Sequence, residues 1–179
     1  GDRGVGKTTL IEYLGTGEIS ETPSYTQFNE IKKLGKVEVA EGKEIHVGNI
    51  ADISGDDSAY TSWEKQVMGC GHIFYLLRAD KIMAGDRATE ERVKKDFRQI
   101  KRWLDKREKA INLSIVGLHC DKMQTSSEED QRKEFRNLSI IRDAKLYAGE
   151  AEVGFFLGSL ESKKNAEKLK KELFQAWES

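Results

Sequence analysis

Two kinds of apolar pattern alternate along the chain. Largely apolar runs occupy His72-Ile-Phe-Tyr-Leu-Leu77, Asn112 to Leu118 and, more briefly, Glu152 to Leu157. Runs of that length suit parallel strands covered on both faces. Elsewhere apolar residues recur at helical spacing. Val93, Phe97, Ile100 and Leu104 stripe a charged segment from about Thr89 to Glu108, and Ala166, Leu169, Leu173 and Trp177 stripe the last segment. Each predicts a helix with one buried face, its charges on the wet side. Ser126-Ser-Glu-Glu129 fits a capping box and predicts another helix start.

Toward the N-terminus the period changes to two. Val37, Val39, Ile45 and Val47 alternate within Phe28 to Val39 and Glu44 to Ala51, which predicts an antiparallel hairpin turning at Glu41-Gly42. Ahead of it, Lys7 to Leu14 is expected to be a short helix stopped by Gly15. A polar segment, Thr16 to Thr26, holds Pro23, the single proline of the chain. Strands alternating with helices in this order predict an α/β three-layer sandwich.

Composition narrows the class without altering that picture. At 179 residues the chain is expected to form one domain, 1–179, large enough for a core without disulfides. Its 30 basic and 31 acidic residues leave a net charge of -1, so no electrostatic feature points to nucleic acid or an anionic membrane. Cys70 and Cys120 are its only cysteines, and no signal-like segment is visible, which suggests a reducing, cytoplasmic setting. No apolar run approaches the roughly 20 residues of a membrane span. Cys70 and His72 flank a core strand at a spacing that does not suit zinc and are read as packing residues.

The candidate chemistry begins at the first residue. GDRGVGKTTL fits G-x-x-x-x-G-K-[ST] and runs directly into the predicted helix. Glycines let backbone N–H groups turn inward around a phosphate, Lys7 adds a point charge for the β- and γ-phosphates, and the Thr8 hydroxyl suits Mg²⁺. The strand that normally feeds such a loop is not in the sequence, and an apolar strand of about five or six residues is expected ahead of Gly1. A second element, Asp52-Ile-Ser-Gly55, ends the hairpin. Its carboxylate suits Mg²⁺ and its glycine N–H a γ-phosphate, although the same residues also suit an ordinary turn.

Together these residues resemble the Ras-like small GTPases, and the run from Asp52 to Ala79 is most similar to the Arf and Roco branches. The resemblance covers essentially the whole chain. It implies a P-loop G domain with a mostly parallel central sheet and one antiparallel edge strand, lacking its first strand here. It further implies GTP or GDP as ligand, Mg²⁺ as cofactor, slow GTP hydrolysis, and a protein effector or activating partner at switch segments around 20–28 and 55–63. The switch I hydroxyl has two candidates: Ser24 follows Pro23, whereas Thr26, 18 residues beyond Thr8, has the more Ras-like spacing. Leu118-His119-Cys120-Asp121 stands where the family carries N-K-x-D, similar to the T-H-x-D form of Roco-like domains, with Asp121 the guanine-reading carboxylate. Gly158-Ser159-Leu160 resembles the fifth motif, whose backbone N–H meets the guanine O6.

The site set implied by the resemblance is then Gly1, Asp2, Arg3, Gly4, Val5, Gly6, Lys7, Thr8, Thr9, His119, Asp121, Lys122, Ser159 and Leu160 for the nucleotide. Thr8, Asp52 and either Thr26 or Ser24 are implied for the metal, and Lys7, Gly55 and Asp56 for catalysis. Asp56 stands where Ras-like enzymes place the water-orienting Gln, and a carboxylate beside a γ-phosphate repels more than it orients. Arg3 stands where Ras has glycine, placed either to obstruct an arginine finger or to act as one in cis. His119 is read either as a base-side residue or as an ordinary loop histidine. Tyr60 and Trp63 are read either as a state-dependent partner surface or, for Trp63, as core. Two other readings stay open: a nucleotide-binding scaffold with little hydrolysis, and an ATP-using P-loop enzyme.

Overall fold

The computed structural model describes residues 1–20, 30–40, 42–109, 111–123, 127–148 and 151–176. Pro23, Ser24, Thr26, Ser126 and Trp177 lie outside the described residues, as does most of the first switch segment.

Three strands carry the centre of the fold. Strands β3 (His72–Arg78), β4 (Asn112–Leu118) and β5 (Glu152–Leu157) form a parallel sheet in the order β3-β4-β5. Its register sets Tyr75 opposite Ile115 and Ile115 opposite Phe155. Alternate side chains point to opposite faces, so each strand feeds two cores. Tyr75, Leu77, Leu113 and Ile115 join one cluster. Leu76, Val116, Leu118 and Phe156 join the other.

On the first face α2 (Tyr60–Gly69), α4 (Arg87–Leu104) and α6 (Ser139–Ala148) contribute Trp63, Phe97, Ile100 and Ile141. On the second face α1 (Lys7–Thr16) and α7 (Lys163–Gln175) contribute Leu10, Leu14, Leu169 and Leu173. Two helical layers thus sandwich the sheet. Each fully buried Leu, Ile or Phe contributes about 1.5–3 kcal/mol of transfer free energy, and Ile115, with no exposed surface between the layers, would cost about 2–5 kcal/mol as Ala.

The hairpin of β1 (Glu30–Ala40) and β2 (Lys43–Asp52) stands as a second sheet. Among the described residues the hairpin and the parallel strands are thus two sheets, with no strand between β2 and β3, the place that the Ras-like resemblance gives to the first strand expected ahead of Gly1. An apolar cleft of about 430 Å³, lined by Ile50, Ile53, Ile73, Tyr75 and Leu14 among others, separates them. The hairpin is anchored instead by Val37 and Val47, which pack into the cluster beneath α1 and α7.

Several boundaries move. Helix α1 runs through Gly15 and ends on Gly17, whose φ of 71° lets its N–H reach the Tyr13 carbonyl; Gly15 stays helical, close to the Leu34 side chain. Helix α4 begins at Arg87, because Asp86 accepts a hydrogen bond from the Thr89 N–H at 2.9 Å and caps it. Trp103 rather than Leu104 completes its buried stripe. Ser127, one residue beyond the expected box, caps α5 (Glu128–Asn137) by accepting from the Asp130 N–H. Helices α2, α6 and the short α3 (Ala79–Met83) were not foreseen. In α6 the Ile140, Ile141, Ala144 and Ala148 stripe follows directly on α5, with Leu138 at the break.

Candidate functional site

The loop from Gly1 to Gly6 is shaped by close packing and left-handed backbone. A Cβ on Gly1 would sit 1.9 Å from the Leu76 carbonyl oxygen, so only glycine fits beside β3 there. Gly4 and Gly6 take φ of 66° and 99°, which favours glycine, and the Gly6 carbonyl accepts the first bond of α1 from the Leu10 N–H at 2.9 Å. Val5, fully buried among the second-face residues, anchors the loop. The N–H groups of a helix's first turn have no carbonyl partner within the helix, and α1 turns that end toward the loop, an arrangement that suits an anion.

Lys7 spans the loop. Its Nζ donates to the Asp2 carbonyl at 2.6 Å and the Gly1 carbonyl at 3.2 Å. Burial lowers its pKa, while Asp52 and Asp2 act in the opposite sense. One residue on, the Thr8 hydroxyl donates to Asp52 Oδ2 at 2.7 Å, and Asp52, at the end of β2, is 1% exposed. A hydroxyl and a carboxylate meeting at a helix N-terminus form the hard-oxygen donor set that suits Mg²⁺. The third oxygen, Ser24 or Thr26, falls outside the described residues.

Gly55 packs directly on the loop. A Cβ there would lie 2.4 Å from the Asp2 carbonyl carbon and 2.5 Å from the Arg3 nitrogen, so the Asp52–Gly55 stretch is pressed against the loop backbone. Arg3 forms an ion pair with Asp56, both side chains reaching solvent. The carboxylate that stands where glutamine was expected therefore has a cation from the loop beside it. Trp63 is buried, with its Nε1 donating to the Ser54 carbonyl at 3.0 Å, and Tyr60 packs edge-on against Trp63 and Trp103. Of the two readings of Trp63, the core one holds and the partner-surface one is corrected: its ring is needed to seat α2.

The base side departs further from the family pattern. Leu118 is buried, and its Cδ1 lies 3.0 Å from where a Cβ on Gly6 would be, so an apolar contact to the loop stands where the family has an asparagine. His119 has φ of 66° and opens the Cys120–Lys122 turn. Burial first, then the positive Arg78 and Lys122, lower its pKa, which favours the neutral imidazole. Asp121 accepts a hydrogen bond from the Ser159 hydroxyl, and Ser159, 3% exposed, itself accepts from the Glu161 N–H at 3.0 Å. Through the Gly158 N–H, which donates to the Gly117 carbonyl at 2.9 Å, the loops after β4 and β5 are held together.

An open cleft of about 1320 Å³ joins the two ends. Arg3, Gly4, Val5, Gly6, Lys7, Thr8, Thr9, Gly55, His119, Asp121, Lys122 and Leu160 line it. Ser159 stands behind Asp121, and Gly1, with Lys7 and Asp52, borders the apolar cleft beside β3. Sequence reasoning missed Arg78, Ser162, Lys163 and the 18–20 segment, all on the cleft wall. Arg78 had a usable signal: it ends a parallel strand, and ligands of open α/β sheets bind at the carboxyl ends of strands.

The fold is shared with a chain of the mammalian SRP receptor. The two align with a TM-score of 0.67 over 97% of this chain and 95% of that one, at 14% identity. At that identity the likeness is one of fold: a parallel three-stranded sheet with helices on both faces and a hairpin beside it. No family model matches the sequence, and no curated protein matches it. No described helix is long and apolar enough to cross a membrane.

Proposed function

We propose that the protein binds GTP with Mg²⁺ and hydrolyses it slowly, acting as a nucleotide-dependent switch. One observation carries the reading: the glycine-rich loop, tied to Asp52 through Thr8 and packed against Gly55, faces Asp121 across a single cleft. The α1 N-terminus and Lys7 would take the β- and γ-phosphates, and Thr8 and Asp52 would hold the metal. Bound there, Mg²⁺ would neutralise charge shared between the β- and γ-phosphates. Asp121 would accept from guanine N1 and the 2-amino group, with the 118–122 turn beneath the base. Gly55 would donate its N–H to the terminal phosphate, and the segments flanking it, with the 20–28 region, would respond to its loss.

The pairing of Arg3 with Asp56 favours a second reading, a nucleotide-bound scaffold with little turnover. Fluorescent GDP competed by GTP and by ATP tests the first reading. GTP is expected to compete at least tenfold better, and equal competition would return the protein to the ATP-using class. Single-turnover phosphate release then separates switch from scaffold: intact binding with no release over hours leaves the scaffold.

A further inference from the structure

The least expected charge in the protein is Asp96. It sits in the middle of α4 with 0% exposure, on the face that packs against the sheet. Its Oδ1 accepts from the Tyr60 hydroxyl at 2.6 Å and from Arg92 Nε at 2.9 Å, and its Oδ2 accepts from the Tyr75 hydroxyl at 2.7 Å. Burial and the neighbouring Asp96 carboxylate raise the pKa of Tyr75, so its hydroxyl stays a donor. Burying a carboxylate with its cation is a poor way to stabilise a helix, since apolar residues of similar volume do as well or better. Its effect is geometric: held at Nε, the Arg92 guanidinium has a fixed plane.

That plane points at the phosphate side of the cleft. Arg92 Nη2 donates to the Gly55 carbonyl at 3.1 Å, and Nη1 lies 3.9 Å from Asp2 Oδ1 in the loop. Asp2 Oδ1 in turn accepts from the Arg3 N–H at 2.7 Å. One guanidinium therefore spans α4, the glycine that would meet a terminal phosphate, and the loop that would wrap it. The Arg92 side chain is 16% exposed, so these bonds form largely out of water, where each orients more strongly. Tyr60, at the first turn of α2, shares the same carboxylate.

We infer that Arg92, oriented by the buried Asp96, is the positioning residue that, by holding the Gly55 carbonyl of the Gly55–Asp56 peptide, sets the adjoining Gly55 N–H for the terminal phosphate. This makes the preference for triphosphate over diphosphate depend on α4. The inference rests on the guanine-nucleotide reading given above. Arg92 touches no phosphate; it acts through the Gly55 backbone, and Tyr60 ties α2 to the same anchor. A ligand ending at the β-phosphate does not reach Gly55 and is indifferent to Arg92.

The test is the ratio of two dissociation constants, for GDP and for a non-hydrolysable GTP analogue, measured on the whole chain with Mg²⁺. Arg92→Lys keeps a cation beside Asp96 but replaces the rigid planar fork with a single rotatable nitrogen, which no longer fixes the direction of the bond to the Gly55 carbonyl. It is expected to weaken the GTP analogue about tenfold and GDP less than twofold, with thermal unfolding within a few degrees of wild type. A purely structural role predicts something else: both ligands weakened by the same factor, or neither, and either result overturns the inference. Should Arg92→Lys fail to fold, Tyr60→Phe decides. Losing that hydroxyl loosens the anchor and is expected to weaken only the GTP analogue, by about threefold, whereas equal losses or none overturn the inference. Wild-type protein that binds neither guanine nucleotide sinks the proposed function and this inference with it. Normal wild-type binding with unselective variants sinks this inference alone.

Discussion

The two ends of the cleft, proposed above as the phosphate end and the base end, are built in different ways. At the phosphate end the chemistry lies in the backbone and in residues with little freedom: Gly1 wedged on Leu76, Gly6 left-handed, Gly55 pressed on the Asp2–Arg3 peptide, Thr8 on Asp52. At the base end it lies in side chains on two loops: His119, Asp121 on Ser159, Lys122, and Leu118 packed on the loop. Backbone sites tolerate almost no substitution, because a Cβ or a changed φ breaks them. Side-chain sites can change one member and keep the rest. The departures from the Ras-like pattern fall accordingly, with Leu118 and His119 at the base end and Arg3 and Asp56 on the solvent side of the phosphate end.

The largest effect is expected at Lys7, the cation proposed to reach the phosphates themselves. Lys7→Ala is expected to weaken GTP by at least ~100-fold, since charge-assisted bonds to two phosphates contribute about 3 kcal/mol or more, and GDP, which has the β-phosphate alone, by about tenfold or more. Titration with fluorescent GDP reads this, and retained binding would place the phosphates elsewhere. Asp121→Asn comes next and acts on the other end alone. An amide can donate to the C2 carbonyl of xanthine where a carboxylate accepts from the guanine 2-amino group. GTP is expected to lose about 30-fold, roughly 2 kcal/mol, while xanthosine triphosphate gains. Unchanged GTP affinity would remove Asp121 from the base site.

Much of the phosphate end was legible because its signals are short and local. Glycine spacing, a following helix and a hairpin ending in Asp52 are read from neighbours in sequence. The three parallel strands were legible within one residue for the same reason, as compact apolar runs. What was not legible depends on distance. Arg92 reaches Gly55 across 37 residues, and Arg3 reaches Asp56 across 53. In sequence Arg92 looks like surface charge, and Arg3 reads as obstructing or supplying an arginine finger, with no sign of its pairing with Asp56. Asp96 was hidden in a helix whose charges are otherwise a wet face, and it is buried only because Tyr60 and Tyr75 arrive from other elements. Helix α2 was read as a switch segment because its buried residues, Trp63 and Val67, are too few to show a period.

Asp56 sharpens the comparison from the phosphate side, standing where the Ras-like resemblance would place the water-orienting glutamine. Asp56→Gln replaces a carboxylate with an amide able to orient water. It is expected to raise single-turnover GTP hydrolysis by about tenfold, roughly 1.4 kcal/mol of barrier. The gain stays modest because Arg3 already offsets part of the charge. A rate unchanged in both Asp56→Gln and Arg3→Ala would mean that neither side chain faces the attacking water.

The smallest effect is expected at Ser159, and it tests the side-chain nature of the base end most directly. The Ser159 hydroxyl donates to Asp121 Oδ1 and accepts from the Glu161 N–H, so it aims the carboxylate without touching the base itself. Ser159→Ala removes both hydrogen bonds, and loss of the one to Asp121, about 0.5–1.5 kcal/mol, corresponds to a roughly twofold to twelvefold loss of GTP affinity. ATP makes no use of Asp121 and is expected to bind this variant as weakly as it binds wild type, so the GTP to ATP ratio falls by the same factor. A loss shared equally by GTP and ATP would carry a different meaning. Ser159 would then be holding the 158–161 loop as a whole, and the base end would depend on its backbone as the phosphate end does.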